Sequence, residues 1–309
     1  MQQQRKTNKI SPVHVQAKNN STAPPNEKVK IDAKTDAKTN TQVQVLDSGV
    51  PKNSNTKLLF TPGPLTTSDA VRNAMAAEDL GSRDTAFIKV QDSIRKGLLA
   101  LAEVEATHEC VLMQGSGTFA VEATIGCAIP RGGKALIVAN GAYGERMGII
   151  CTRLGIEHRV LSLPWTSTPN PADVAAELAE HPADVVLMVH HETTCGIVND
   201  VEAIGAVLQK GEVFVVDAMS GFGGIPLDLT KAGVDFMVSS ANKCIPGVPG
   251  FAYAIAKRES LLATEGNARS LALDLLAQWK GFNKNGVWVM HVCYVCMYVC
   301  MYACTYDTI

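Results

Sequence analysis

The chain reads as an α/β protein with a mostly parallel, seven-stranded sheet and helices on both faces. Two observations predict this. From Leu58 to about Lys280, short apolar runs alternate with helix-length amphipathic segments, the pattern of βαβ units. The runs themselves are nearly all apolar, as strands covered on both faces are. With 309 residues, 46% of them hydrophobic, the chain can bury a core without disulfide staples.

Taken in order, CVLM (110–113) is the first strand, followed by a Gly-rich turn and a helix from Thr118. KALIVAN (134–140) leads into a helix from Glu145 to Leu154. HRVLSL (158–163) precedes the helical stretch ADVAAELAEH (172–181). DVVLMVHH (184–191) precedes a helix from Val201 to Gln209. EVFVVDA (212–218) and DFMVSSA (235–241) follow, then a Gly/Pro turn and GFAYAIA (250–256). The last run starts too soon after its predecessor for a helical crossover, so it is expected to run antiparallel.

The flanks differ. Residues 1–57 contain no aromatic residue, and ten Lys or Arg stand against four Asp or Glu, a composition that cannot offset the entropy of ordering. A disordered polar tail is expected. It lacks the apolar core of a signal peptide, and a single Arg argues against a mitochondrial presequence although no acid precedes Glu27. At the other end, residues 282–309 include VCYVCMYVCMYACTY. Three readings compete there: a membrane anchor, a zinc site at Cys293, Cys296, Cys300 and Cys304, and a translated four-base DNA repeat. GTAT read in threes gives Val-Cys-Met-Tyr, which is 295–298 and again 299–302. The period itself supports the third reading, so neither membrane nor metal is expected.

A net charge of -2 gives no reason to expect nucleic acid. Cys110, Cys127, Cys151, Cys195 and Cys244 are scattered through apolar sequence and read as reduced thiols, consistent with a cytoplasmic protein.

Four features carry chemistry. QGSGTF (114–119) follows a strand and opens a helix, so the N–H groups of Ser116, Gly117 and Thr118 would face an anion with the helix dipole behind them. Asp217 ends an apolar strand, where a carboxylate needs a cation or donors. A protonated pyridine nitrogen is one such cation. Lys243, in SSANKCIPGVPG (239–250), sits on a rigid turn just past another strand. An amine held against apolar surface gives up its proton more readily, as Schiff-base chemistry requires. Tyr143, in NGAYGERM (140–147), would stack on a flat ring. HHETTCG (190–196) lacks the spacing of a metal site, and Thr193 and Thr194 read as hydroxyl donors at a strand end.

These segments, with TPGPLTTS (61–68), LGSRDTAF (80–87), VDAMSGFGGIPLD (216–228) and ARSLALDLLAQW (268–279), resemble the class V, fold type I aminotransferases dependent on pyridoxal 5'-phosphate. The strings GSRD, HHETT and SSANKC resemble the branch that acts on 2-aminoethylphosphonate and pyruvate. The resemblance implies the large domain of that fold over 58–281 and a homodimer. It implies that Lys243 forms the internal aldimine and that Asp217 pairs with the pyridine nitrogen. Tyr143 would cover the ring and Thr194 would donate to its hydroxyl. Ser116, Gly117 and Thr118 would hold the phosphate, helped by Ser240 or Asn242. Gly63 and Arg83 would lie on the substrate side, the guanidinium matching a phosphonate or carboxylate. The expected reaction turns 2-aminoethylphosphonate and pyruvate into phosphonoacetaldehyde and L-alanine.

Two alternatives stay open: an alanine–glyoxylate or serine–pyruvate type transaminase, and an inactive cofactor-binding partner of a full-length subunit. The family continues past Trp279 into a small C-terminal domain carrying a substrate arginine. Here no Arg follows Arg269, so a truncated form with impaired activity is expected.

Overall fold

The computed structural model describes residues 58–75 and 80–285. The polar tail expected over 1–57, and the anchor, zinc and repeat readings of the final segment, lie outside the described residues.

Seven strands form one sheet: β1 (His108–Gln114), β2 (Lys134–Ala139), β3 (Glu157–Ser162), β4 (Val185–Val189), β7 (Val213–Asp217), β8 (Phe236–Ser240) and β9 (Phe251–Lys257). Two more, β5 (His191–Glu192) and β6 (Ile197–Val198), make a small antiparallel ribbon. The sheet order is β1-β9-β8-β7-β4-β2-β3. All neighbours pair parallel except those of β9, which runs antiparallel to β8 and β1, as the short connection at Gly250 requires. Six strands therefore point their carboxyl ends at one sheet edge.

Side-chain alternation sorts each strand onto two faces. Cys110, Leu112, Leu136, Val138, Val186, Met188, Phe214 and Val216 join one core cluster. Val111, Met113, Ala135, Ile137, Val185, Leu187 and Val215 join the other. The first face carries residues of α2 (Thr85–Leu101), α5 (Pro171–Glu180) and α6 (Val201–Gly205). The second carries α3 (Gly117–Ala128), α4 (Ala142–Arg153) and α7 (Arg258–Leu262). On that face β9 presents only Ala252, Ala254 and Ala256, which lets α3 approach the sheet closely. The expected two-sided α/β sheet is the one observed.

Several details differ from the sequence reading. The strand expected to run through His191 stops at Val189, and the chain turns into the ribbon. The helix expected to reach Gln209 ends at Gly205, because Val207 and Leu208 donate to the carbonyls three residues back and tighten the last turn. A short helix α1 (Asp69–Ala74) and the 17-residue α2 precede β1. The last helix, α8 (Leu275–Asn285), crosses the boundary drawn at 281 and buries Phe282 in the first core cluster.

Gly205 shows how tightly α6 seats. A Cβ there would stand 1.9 Å from the Ala232 carbonyl oxygen, backbone that cannot swing away. Gly205→Ala is expected to lower stability by at least about 2 kcal/mol, the scale of overpacking a core. Urea unfolding checks it, and an unchanged midpoint would contradict this packing.

Candidate active site

At the sheet edge where the strands end, their loops enclose a cavity of about 210 Å³. Ser116, Gly117 and Thr118 come from the turn after β1, and Tyr143 and Arg146 from the start of α4. Asp217 ends β7 and Met219 follows it, and Ser240 ends β8 with Asn242 and Lys243 following. Crevices at the carboxyl ends of parallel strands are where ligands bind in such sheets.

The phosphate-sized end is built by α3. Its N-cap Ser116 makes no side-chain cap, so the first N–H groups of the helix are left to the cavity with the helix dipole behind them. Gly117 lets the Met219 side chain pack against the turn: a Cβ there would come within 2.4 Å of the Met219 Sδ atom, so the thioether would have to move.

Asp217 is 6% exposed and accepts from the Met219 N–H at 2.8 Å. Burial pushes its carboxyl up to about 6, while that N–H pulls the other way. The nearby Glu192 adds to the rise, and Arg146 and Lys243 oppose it. A bound cation would relieve this cost.

Lys243 Nζ donates to the Pro62 carbonyl at 3.3 Å. The segment before α1 thus lies across the lysine. A Cβ on Gly63 would stand 2.5 Å from Lys243 Cδ and 3.1 Å from the Asn242 carbonyl oxygen, and Gly63 has φ +127°. Only glycine fits under that side chain. Ser240 donates to Asn242 Oδ1 at 3.0 Å, fixing the turn that carries Lys243.

Tyr143 presents its ring to the cavity, and the Arg146 guanidinium stands 4.8 Å from the ring centroid. The β2–α4 turn behind them is pinned by a reciprocal amide pair. Asn140 Nδ2 donates to Asn199 Oδ1 at 2.8 Å, and Asn199 Nδ2 donates back at 3.1 Å.

Of the residues singled out in the sequence, Ser116, Gly117, Thr118, Tyr143, Asp217, Ser240, Asn242 and Lys243 share the cavity wall, and Gly63 touches Lys243. Two lie elsewhere. Thr194 is off the wall: its hydroxyl donates to Glu192 Oε1 at 2.6 Å and accepts from the Ala142 N–H. Arg83 sits exposed in the turn before α2, where the Gly81 N–H donates to Asp84, and does not line the cavity. Arg146, Met147, His191, Met219 and Ser220 line it without having been singled out. Tyr143, Arg146, Met147 and Ile150 follow the i, i+3, i+4, i+7 spacing of one helix face, a signal present in the sequence.

An anion cradle, a flat ring, a buried acid and a lysine amine around one space fit pyridoxal 5'-phosphate, whose phosphate, ring and ring nitrogen need those partners.

Comparison with known proteins agrees. The family model for class-V aminotransferases matches residues 69–267. The chain is 48% identical over 237 residues to the 2-aminoethylphosphonate–pyruvate transaminase of Syntrophobacter fumaroxidans, covering 76% of this chain and 64% of that protein. It is 49% identical over 238 residues to the Vibrio vulnificus protein of the same name, covering 76% and 65%. The chain thus spans about 64% of the length of these relatives. Among solved structures it is similar to an alanine–glyoxylate aminotransferase of Nostoc sp., with TM-score 0.73 and 26% identity over 82% of this chain and 68% of that one.

Asp217 gives a pH prediction. A carboxyl raised in the fold from 3.8 to about 6 contributes stability present below 3.8 and lost as pH rises through 6. In cofactor-free protein, the unfolding free energy of wild type relative to Asp217→Asn is expected to fall by up to about 3 kcal/mol from pH 4 to pH 8. Chemical denaturation at the two pH values measures it. A pH-independent difference would show that Asp217 carries no such burden.

Proposed function

The chain belongs to the class-V aminotransferase family, and on that premise we propose that it moves the amino group of 2-aminoethylphosphonate to pyruvate. The products are phosphonoacetaldehyde and L-alanine, and pyridoxal 5'-phosphate is the carrier. One observation carries the reading: Asp217, Lys243 and the uncapped start of α3 face a single cavity. The substrate pair is supported by identities of 48–49% to proteins named for it, against 26% for the alanine–glyoxylate structure.

When bound, pyridoxal 5'-phosphate supplies an electron sink for the carbon that loses its proton. The protein's part is to bind, orient and move that proton. The Gly117 and Thr118 N–H groups hold the phosphate end. The Tyr143 face fixes the plane of the ring, and the Asp217 carboxylate keeps the ring nitrogen protonated. Lys243 is the covalent anchor. Its Nζ would also be the group that takes the proton from the substrate carbon bearing nitrogen and returns one when the amino group changes hands. Arg146 is the guanidinium on the cavity wall suited to a phosphonate or carboxylate. Both half-reactions share the one lysine, so ping-pong kinetics follow.

A homodimer belongs to the same reading. So does a reducing, cytoplasmic setting, supported by the free thiols of Cys110, Cys127, Cys151, Cys195 and Cys244. Burial pushes the first three up to about 12, which suits packing rather than reactivity.

Borohydride reduction of the cofactor-loaded protein, followed by peptide mapping, is expected to place the pyridoxyl label on Lys243. Alanine is expected to form only with both 2-aminoethylphosphonate and pyruvate present, and Lys243→Ala is expected to lose label and product together. A label on another lysine, or none, overturns the reading. Gly63→Ala, by displacing Lys243, is expected to slow labelling strongly while circular dichroism stays unchanged; labelling at the wild-type rate would remove the segment before α1 from the site.

A further inference from the structure

Glu192 is fully buried beside the cavity rather than in it. Its carboxylate meets the start of α4. Oε2 accepts from the Tyr143 N–H at 3.1 Å and from the Gly144 N–H at 3.2 Å. Oε1 accepts from the Thr194 N–H at 3.3 Å and the Thr194 hydroxyl at 2.6 Å. That hydroxyl in turn accepts from the Ala142 N–H at 3.2 Å. The N-cap position of α4 is Gly141, which has no side chain to cap with. Glu192 and Thr194 therefore satisfy the first three N–H groups of the helix from a different segment of the chain. Gly141 makes room for this: a Cβ there would lie 2.3 Å from Glu192 Cγ and 2.6 Å from Thr194 Oγ1.

The two helices flanking the cavity are thus treated oppositely. The α4 N-terminus is filled by a carboxylate of the protein, and the α3 N-terminus has no side-chain cap. Tyr143 is the second residue of α4, so what grips that turn also sets where its ring stands.

We propose that Glu192 is a positioning residue for the cofactor, acting through the first turn of α4 to hold the Tyr143 ring against the space the cofactor occupies. The inference rests on the reading of the cavity as a pyridoxal 5'-phosphate site. Glu192 makes no contact with that ligand. Its replacement loosens the turn, and the ring loses its fixed stacking position.

The test is a double-mutant cycle on cofactor affinity, not on turnover. Pyridoxal 5'-phosphate is titrated by absorbance into wild type, Glu192→Ala, Tyr143→Ala and the double variant. Thermal unfolding of each cofactor-free protein establishes that it folds. Each single substitution is expected to weaken binding about fivefold to tenfold, the scale of one stacked-ring contact. The double variant is expected to bind no worse than Tyr143→Ala, because both changes remove the same contact. Glu192→Gln keeps an acceptor for the Tyr143 and Gly144 N–H groups and is expected to recover part of the loss. It carries the same cycle if Glu192→Ala fails to fold. Multiplied losses in the double variant, or wild-type affinity in Glu192→Ala, overturn the inference while leaving the cofactor site standing. Absence of binding by the wild type overturns both.

Discussion

Burying Asp217 at the carboxyl end of β7 costs the fold free energy that a cation can return. The carboxyl is 6% exposed and held by the Met219 N–H, and its raised pKa expresses that cost, about 3 kcal/mol at neutral pH. The rest of the edge is arranged around this group. Strands β4 and β8 pair with β7 on either side, so their terminal loops bring the 191–194 ribbon and the Lys243 turn to the same place. A parallel sheet makes this unavoidable, since every strand delivers its carboxyl end, and the helix N-terminus that follows, to one edge.

That crowding of helix N-termini sets the electrostatics. Each carries a partial positive charge and N–H groups without intrahelical partners. The chain answers one with Glu192, placed through a glycine that admits its side chain, and gives the other no side-chain cap. Two carboxylates close to each other then serve different ends because their donors differ. Glu192 accepts from three N–H groups and one hydroxyl, whereas Asp217 accepts from one N–H among the described residues. The well-satisfied acid belongs to the scaffold, and the under-satisfied one is available to a ligand.

Much of this was legible in the sequence, for identifiable reasons. Six of the seven strands are readable as apolar runs ended by turns, the mixed and largely exposed edge strand β3 as a short run between two helical segments, and the antiparallel direction of β9 from the short connection before it. Asp217 and Lys243 stood out as charged residues directly after such runs. Arg83 did not follow that logic. Its charge suggests a substrate contact, but it stands exposed in the turn before α2, off the cavity wall. Glu192 carries no local signal, because its role depends on a helix start about fifty residues earlier in the chain. The end of α6 carries no local breaker either: the turn after Gly205 tightens through the Val207 and Leu208 N–H groups, which donate to carbonyls three residues back.

The fold also explains why Lys243 can be both anchored and mobile. Its backbone follows the buried β8 and is braced by the Ser240–Asn242 hydrogen bond and the Asn242–Pro246 bridge, so its Cα is fixed. Its side chain, by contrast, is held at the tip by a single carbonyl among the described residues, that of Pro62, at 3.3 Å. One long bond to a backbone oxygen is readily exchanged, where an ion pair with a buried acid would lock the amine as a cation. The neighbouring Gly63 puts no Cβ against the methylene stem, where one would stand 2.5 Å from Lys243 Cδ. A rigid base carrying a lightly held amine is what a lysine needs if it is to bond a ligand, release it, and then carry a proton across the same cavity.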